Sequence, residues 1–488
     1  MSSTNGSWLD AFTQFVTKVD DFVWGIPLIS LILFGGILLT VRLGGLQFRH
    51  LALALKYLFK DEKDVHGAHG EVSSFAALCT ALSATIGTGN IVGVATAYVT
   101  GGPGALFWMW IAALFGMATK YAEGVLAVKY RERDKATGSM LGGPFLYIER
   151  GMGPRWKPLA ATFAFFGALA GLGGIGTFTQ INSICSAAET FVHAYIGQSA
   201  PITLFGVDYS LTTVIGSFAL AVLVALVIIG GLKRISSVAA KVVPLMVVMY
   251  VLFTLLLLSS NLGEIPSALA LIIKGAFNPS AATGGAVGTI FIAMQKGVSR
   301  GIFSNEAGLG SAPIAAAAAR TKEPARQGLV SMTGTFLDTI IVCSMTGLAL
   351  TITGQKFGNG ALQGAAATMQ AFREGLPFLP CVATDCVLTL SLIIFGYTTI
   401  LGWCYYSERC LEYLTHRAPL PTIIFRWLYI AAIFTGPYMT ISAVWGIADI
   451  FNGLMAIPNM IALIALSGVT RRETKSYFKR LKSGKSED

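Results

Sequence analysis

Eleven apolar stretches dominate this sequence, and each is close to or longer than the ~20 residues with which a helix crosses about 30 Å of hydrocarbon. Only 12% of the 488 residues are charged, about half the share in a typical soluble domain. We therefore predict an all-α polytopic membrane protein that crosses the lipid bilayer about eleven times. The predicted spans are 22–41, 73–99, 105–127, 159–195, 211–231, 242–260, 284–318, 328–353, 385–407, 423–443 and 444–467.

The basic residues predict the orientation of these spans, because Lys and Arg accumulate in cytoplasmic loops. With the N-terminus outside, the cytoplasmic segments contain 29 of the 35 Lys and Arg residues, and the outer segments contain four. One missed span would invert every later loop and remove this asymmetry. The pattern predicts an outer N-terminus and a cytoplasmic C-terminus. No basic face is interleaved with aromatic residues, so no nucleic-acid partner is expected.

The order of the spans suggests an internal repeat. If the first span is an extra helix, the other ten divide into two sets of five, and an odd number per set gives the sets the opposite orientations of an inverted repeat. The predicted segments are an outer N-terminal segment 1–21, an extra transmembrane helix 22–41, a cytoplasmic loop 42–72, five-helix repeats 73–260 and 284–467, and a basic, mobile cytoplasmic tail 468–488.

The 73–99 span is interrupted near its centre by the sequence SATIGTGN, residues 83–90. Two glycines one residue apart weaken a helix. The N-terminus of the second half-helix would suit the carboxylate of a zwitterion, and the carbonyl end of the first would suit a sodium ion. The alternative is that these glycines only permit close helix packing.

A second interruption is predicted in the 284–318 span, from Gly284 to Gly297 and on through GVSRGIFSNEAGLGSAPIAAAA. Two interrupted spans at corresponding positions of two halves indicate a transporter site. We predict that Arg300, Asn305 and Glu306 brace a gate or a helix cap at the cytoplasmic boundary.

Other polar side chains lie at membrane depth. The adjacent hydroxyls of Thr398 and Thr399 can ligate sodium, or they can bond back to their own helix. Gln180 is expected to meet a ligand or a partner helix, and Asp338 is a candidate for coupling or gating. The sequence contains no HExxH, GxSxG, Walker A or CxxC motif, and we predict that the chain is not an enzyme.

Five stretches resemble the alanine or glycine:cation symporter family: GTGNIVGVATA (87–97), GGPGALFWMW (101–110), KYAEGVLAVKYR (120–131), GGPFLYIERGMG (142–153) and RGIFSNEAGLGSAP (300–313). The resemblance runs from about residue 20 to residue 470. It implies a bacterial or archaeal plasma-membrane transporter that takes up a small neutral amino acid with sodium, with no obligate protein partner. It also implies the ten-helix inverted-repeat fold of the neurotransmitter:sodium symporters with one extra N-terminal helix.

The resemblance also implies a site. The backbone around Thr88, Gly89 and Asn90 would hold the substrate carboxylate, Gln180 and Thr399 would contact the amino acid, and Trp403 and Phe291 would close its side-chain pocket. Sodium, the co-transported ion, would bind the carbonyls of Ser83 and Ile86 and the hydroxyls of Thr398 and Thr399. A second sodium site would involve Asn90.

Two other functions fit the sequence. In the first, the symporter couples to protons, with Asp338 as the carrier. In the second, the glycine-rich helices line a channel or facilitator for small solutes. The sequence leaves alanine, glycine, serine and glutamine open as the substrate.

Overall fold

The computed structural model describes residues 6–60, 70–133, 138–204, 207–277, 286–355 and 362–483. Residues 1–5, 61–69, 134–137, 205–206, 284–285, 356–361 and 484–488 of the predicted segments lie outside these ranges. The described residues are mostly helical. The helices up to residue 277 are α1 (Gly6–Val23), α2 (Ile26–Arg42), α3 (Leu46–Arg49), α4 (Leu51–Phe59), α5 (Ser74–Thr85), α6 (Val92–Gly101), α7 (Gly104–Tyr130), α8 (Pro144–Leu146), α9 (Lys157–Gly173), α10 (Phe178–Tyr195), α11 (Leu211–Ile228), α12 (Gly231–Ser260) and α13 (Ile265–Phe277).

The remaining helices are α14 (Ala286–Asn305), α15 (Ala312–Ala316), α16 (Pro324–Thr335), α17 (Ser344–Ile352), α18 (Gly364–Gly375), α19 (Cys381–Leu414), α20 (Pro419–Thr435), α21 (Ile441–Ala465) and α22 (Ser467–Lys482). Turns of 3-10 helix cover Thr88–Asn90, Pro154–Trp156, Leu262–Glu264 and Gly436–Tyr438, and π-helix covers Tyr147–Met152 and Phe336–Cys343. Two antiparallel hairpins pair β1 (Glu132–Arg133) with β2 (Met140–Leu141) and β3 (Pro201–Leu204) with β4 (Val207–Ser210).

Fewer candidate spans are found among the described residues than the eleven expected. Among the described residues, eight helices are long and apolar enough to cross a membrane, or up to ten if each bent pair is one span. The bent pairs are α1 with α2, at 40°, and α5 with the segment Thr88–Gly101, at 59°. Helix α14 contains Lys296 and Arg300 and is not among the eight. The protein is therefore a multi-pass helical membrane protein, and the count of eleven is not confirmed.

The helices follow one another in the predicted order. A broken helix begins each set: α5 and α6 precede α7, and α14 and α15 precede α16. The long 159–195 stretch forms α9 and α10, which are separated at residues 174–177. Side-chain oxygens cap several helices, among them Ser73 before α5, Ser210 before α11 and Thr440 before α21, each accepting a backbone N–H three residues later.

The predicted outer segment 1–21 is helical from Gly6 onward. Helix α1 packs along α21, where the hydroxyls of Thr13 and Thr440 lie 3.1 Å apart. The chain then bends before Gly25, and the Trp24 indole donates a 2.9 Å hydrogen bond to the Asp449 carbonyl. The extra N-terminal part of the chain is therefore two helices joined at a bend.

The C-terminal tail differs from the mobile segment that its basic composition suggested. Residues 467–482 form α22, which lies across one end of the bundle. Tyr477 meets Tyr57 at 2.8 Å between hydroxyls, Thr474 meets Tyr121 at 2.9 Å, and Glu473 pairs with Lys129. The charged residues of this segment flank a buried face that includes Thr474 and Tyr477, and its basic composition does not reveal that face.

Candidate functional site

The first predicted interruption is present. Helix α5 ends at Thr85, the segment Thr88–Asn90 forms a single 3-10 turn, and α6 begins at Val92. The two halves meet at 59°. Gly87 and Gly89 lack a Cβ, and this lets Thr399 of α19 and Phe303 of α14 approach the turn closely. The helix is therefore broken where residues 87–90 are fully buried.

Backbone hydrogen bonds show what the break exposes. In a continuous helix, the Gly87 amide would donate to the Ser83 carbonyl and the Asn90 amide to the Ile86 carbonyl. Instead, Gly87 donates to the Asn90 side-chain Oδ1 at 2.9 Å, and the Asn90 amide donates to the Gly87 carbonyl at 3.2 Å. The Ser83 and Ile86 carbonyls thus lose their helical donors, and these are the two carbonyls that the family resemblance assigned to sodium.

Helix α19 lies directly against this break. A Cβ on Gly87 would lie 2.4 Å from Thr399 Oγ1, and a Cβ on Gly402 would lie 2.9 Å from Ser83 Oγ. Contacts below 3.0 Å are not tolerated, so both positions require glycine for this approach. The structure therefore brings the Thr399 hydroxyl and the released end of α5 together.

Thr398 is oriented differently from Thr399. Its hydroxyl lies 3.4 Å from the Met246 sulfur of α12. The hydroxyls of Thr398 and Thr399 both donate to the Phe395 carbonyl at 3.0 Å, as the back-bonding alternative expected. A hydroxyl that donates in this way keeps its oxygen lone pairs, so the bond does not prevent ligation of a cation.

Gln180 lies opposite the break, as expected for an amide at membrane depth. Its Oε1 accepts from the Thr88 amide at 3.2 Å and from the Thr88 hydroxyl at 2.9 Å. Its Nε2 donates to the Ile175 carbonyl at 2.9 Å, within the gap between α9 and α10. Gln180 therefore contacts the same Thr88 backbone that was predicted to hold a carboxylate.

The second interruption is present and occupies only the later part of the predicted 284–318 stretch. Helix α14 continues through Gly297 and Gly301 and ends at Asn305, and α15 begins at Ala312. Small residues inside a helix let a neighbour approach and do not by themselves break it, and Gly297 packs against the α7 backbone at Ala105. The break is residues 306–311, where Glu306, Gly308 and Gly310 have φ values of 57°, 92° and 84°.

Glu306 links this second break to the site. Its Oε1 accepts from the Trp403 indole N–H at 2.7 Å, and its Oε2 accepts from the Ser311 hydroxyl at 2.7 Å. Glu306 is fully buried and has a left-handed backbone conformation that is uncommon outside glycine. Trp403, expected to close a pocket, also joins α19 to the second broken helix.

Asp338 is held beside the first break. Its carboxylate accepts from Asn90 Nδ2 at 2.7 Å, from the Ser304 hydroxyl at 2.9 and 3.0 Å, and from the Thr339 hydroxyl at 2.7 Å. All four side chains are fully buried. The structure therefore connects both broken helices through one carboxylate, and Ser304 is a member of this cluster that sequence reasoning missed.

Phe291 is not adjacent to the break. The aromatic ring against Gly89 belongs to Phe303, whose Cδ1 would lie 3.3 Å from a Cβ on Gly89. Phe291 is half-buried and lies twelve residues earlier in the same helix, about 18 Å along its axis. The structure therefore places Phe303, and not Phe291, beside the predicted substrate position.

The Arg300 guanidinium lies over the Phe303 ring. Arg300 forms a bidentate ion pair with Asp449 of α21, at 2.6 and 3.1 Å, and its guanidinium lies 5.6 Å from the Phe303 ring centroid and 4.7 Å from that of Trp445. This pair lies in the same half of α14 as Lys296, which approaches Asp21 of α1. The prediction that Arg300, Asn305 and Glu306 brace a gate or a helix cap at the cytoplasmic boundary stays a prediction; Arg300 and Asn305 share α14, and Glu306 is the first residue of the break.

Helix α7 supports the second break from the opposite side. Glu123 Oε1 accepts from the Gly308 amide at 3.1 Å and from Asn459 Nδ2 at 2.7 Å, and Asn459 also donates to the Gly308 carbonyl. Sequence spacing gave no signal for this contact, because the three residues lie far apart in the chain. The backbone groups released at residue 308 are therefore satisfied by side chains, as membrane depth requires.

The architecture and this site define the chain as a multi-pass secondary transporter, and not an enzyme. Broken helices with buried polar groups at mid-membrane are typical of that class. A sequence profile described as "Sodium:alanine symporter family" matches residues 9–488. The chain belongs to this family, and the family's description indicates a transporter.

Individual proteins agree with this assignment. The chain is 53% identical over 468 residues to an uncharacterized transporter of Haemophilus influenzae, covering 96% of each chain. It is 48% identical over 470 residues to the sodium/alanine symporter AgcS of Methanococcus maripaludis, covering 96% of this chain and 97% of the relative. The crystal structure of MhsT in complex with L-phenylalanine has a TM-score of 0.54 and 15% identity, and the match covers 83% of this chain and 98% of MhsT. That last similarity shows the fold of the neurotransmitter:sodium symporter type.

Proposed function

We propose that this protein takes up a small neutral amino acid, alanine or glycine, together with sodium, by alternating access across a bacterial or archaeal plasma membrane. Its N-terminus is outside and its C-terminus is cytoplasmic. The observation that carries the proposal is the pair of carbonyls, Ser83 and Ile86, released at a buried helix break beside the Thr399 hydroxyl. The name of the relative AgcS, a sodium/alanine symporter, supports the same substrate class.

Sodium binds at the end of α5 in this proposal. Sodium prefers oxygen ligands, and the Ser83 and Ile86 carbonyls with the Thr399 hydroxyl supply three at one place. The C-terminal end of a helix carries partial negative charge, which further favours a cation. Thr398 joins this set only if its hydroxyl rotates away from Met246.

The Gln180 amide oxygen occupies the position proposed for the substrate carboxylate. Its amide oxygen accepts from the Thr88 backbone and hydroxyl, which are the donors that a carboxylate needs. When the substrate carboxylate takes these donors, the Gln180 oxygen is released and can accept from the substrate ammonium group. A neutral amide therefore serves both ends of a zwitterion in turn and adds no charge to the site.

The packing around Gly89 restricts the substrate side chain. Phe303 lies against Gly89, and the ion pair of Arg300 and Asp449 holds that ring from outside. Trp403 closes the opposite side and is fixed by Glu306. Large rings that are themselves anchored leave little room for a side chain, so a methyl group or hydrogen fits best.

Asp338 couples ion binding to both broken helices. It accepts hydrogen bonds from Asn90 on one and Ser304 on the other. A cation bound beside Asn90 would compete for the same oxygens and change how the two helices are joined. We propose that this competition is the coupling step, with sodium as the cation.

Uptake into proteoliposomes of purified protein tests the function. We expect accumulation of labelled alanine or glycine above its outside concentration when sodium is high outside, and no accumulation in sodium-free buffer. Accumulation driven equally well by a pH gradient without sodium would instead support the proton-coupled alternative. Equilibration without accumulation under any gradient would support a facilitator and reject symport.

Thr399→Ala is expected to raise the sodium concentration for half-maximal uptake by about tenfold, because one ligand contributes roughly 1–2 kcal/mol. The measurement is the initial rate of alanine uptake against sodium concentration. Thr384→Ala is the matched control, because Thr384 is a buried threonine of the same helix whose hydroxyl has no hydrogen-bond partner among the described residues. An unchanged sodium dependence in Thr399→Ala would contradict the assigned role of this hydroxyl.

A further inference from the structure

A basic groove lies at one end of the bundle, between the end of α2 and α22. It has a volume of about 550 Å³, and no acidic side chain lines it. Leu43 and Phe478 contribute apolar walls. We call it the basic groove and define it by its six cationic side chains, Arg42, Arg49, Arg471, Lys475, Lys479 and Lys482.

No acidic side chain among the described residues neutralises these six cations. Within the described part of the chain, none of them forms an ion pair, and Arg42 donates only to the neutral hydroxyl of Ser467. By contrast, Arg480 on the opposite side of α22 pairs with Glu323 at 2.6 Å. Arg480 therefore has an acidic partner, whereas the face of α22 that lines the groove carries positive charge that no described acidic side chain balances.

The positive electrostatic potential of the groove also acts on His50, which lies in its wall. The His50 ring stacks on Phe478 with centroids 4.2 Å apart. Burial lowers the pKa of His50, and Arg49 and Lys482 lower it further. Positive charge from both walls therefore converges at this point.

An apolar strip leads from the groove along α2. Phe34, Ile37 and Val41 are 58%, 43% and 72% exposed, and their spacing of three and four residues places them on one helix face. Val41, the last of the three, also lines the groove. A cationic groove continuous with an exposed apolar strip matches a molecule with an anionic head and hydrocarbon tails.

We propose that the basic groove binds the phosphodiester headgroup of an anionic phospholipid from the cytoplasmic leaflet, with its acyl chains along Phe34, Ile37 and Val41. The assignment to the cytoplasmic leaflet depends on the proposed orientation. Arginine and lysine side chains donate charge-assisted hydrogen bonds to phosphate oxygens, and basic pockets at the cytoplasmic ends of membrane helices suit such headgroups. The strip favours a lipid over soluble phosphate, which has no tail to place there.

Native mass spectrometry of the delipidated full-length protein tests this site. Phosphatidylglycerol is titrated against phosphatidylcholine with identical acyl chains, for the unaltered protein and for the triple variant Arg471→Gln/Lys475→Gln/Lys479→Gln. Each basic side chain near a lipid surface contributes about fivefold in affinity, so we expect the triple variant to bind phosphatidylglycerol ~100-fold more weakly. Phosphatidylcholine binding is expected to be weak and equal in both proteins.

The matched control is Arg155→Gln/Lys157→Gln/Arg472→Gln, which removes the same charge from exposed positions outside the groove. It is expected to keep phosphatidylglycerol affinity within threefold, and melting temperatures in detergent verify that both variants are folded. Equal losses in test and control variants would overturn the proposal. So would displacement of the lipid by millimolar inorganic phosphate, which would indicate a phosphate site.

Failure of this proposal is separable from failure of the proposed function. Detergent micelles have no sidedness, so lipid binding in them does not depend on orientation or on transport. The orientation is tested separately by fusing to the C-terminus a reporter enzyme that works only outside the cell. If this fusion is active, the proposed orientation is rejected, and the lipid measurement is unaffected.

Discussion

Asn90→Ala is expected to reduce sodium-driven uptake by at least ~100-fold. The Asn90 side chain accepts from the Gly87 amide and donates to the Asp338 carboxylate. Its loss returns the Gly87 amide to the Ser83 carbonyl and leaves Asp338 without its contact to the first break. A buried hydrogen bond to a charged group is worth roughly 1.5–3 kcal/mol, and ~100-fold corresponds to about 2.7 kcal/mol.

Uptake and melting temperature are measured together for this variant, so that loss of transport is separated from loss of folding. Asn452→Ala is the matched control, because Asn452 is fully buried and neither side-chain polar atom has a hydrogen-bond partner among the described residues. We expect this control to transport normally. If Asn90→Ala keeps more than a third of normal uptake, or if it fails to fold, the GTGN stretch serves helix packing and is not the site.

Arg300→Met is expected to destabilise the protein more than Asp449→Leu does. Breaking a buried ion pair from one side costs about 3–5 kcal/mol, because the other charge stays buried and unpaired. The two sides differ here, since Asp20 of α1 lies within electrostatic reach of both partners and its Oδ1 has no hydrogen-bond partner in the described part of the chain. Without Asp449, Arg300 can pair with Asp20, whereas without Arg300 two carboxylates face each other.

Melting temperatures are measured for the two single variants and for Arg300→Met/Asp449→Leu. The difference between the double variant's loss of stability and the sum of the two single losses gives the interaction between these residues. We expect the double variant to regain much of the stability lost by Arg300→Met, and to lose uptake because Phe303 is no longer held. Arg150→Met is the control, since its pair with Glu132 is exposed and worth less than about 1 kcal/mol. Equal destabilisation in the two single variants would exclude a role for Asp20.

The sequence predicted those features that depend on local chain chemistry. Hydropathy alone predicted a multi-pass helical membrane protein, and two glycines beside Asn90 predicted the break between α5 and α6. Gln180 and Thr399 were found because polar groups at membrane depth require partners, and both lie against that break.

Features that depend on contacts between distant segments were not predicted. Glycine content predicted an interruption anywhere within the 284–318 stretch, and only the structure narrows it to residues 306–311, where Trp403 and Ser311 donate to the Glu306 carboxylate. Phe291 and Phe303 are equivalent by composition, and only the packing of α14 against Gly89 distinguishes them.

The docking of α22 has a practical consequence for handling this protein. Its buried Tyr477 and Thr474 bind Tyr57 and Tyr121, and its Arg480 binds Glu323 at the start of α16. Deleting the chain from residue 467 would remove all of these contacts, together with that of Glu473 to Lys129, so truncations made to aid crystallisation should stop after Lys482. Affinity tags and fluorescent fusions added after Lys482 leave these contacts of α22 intact.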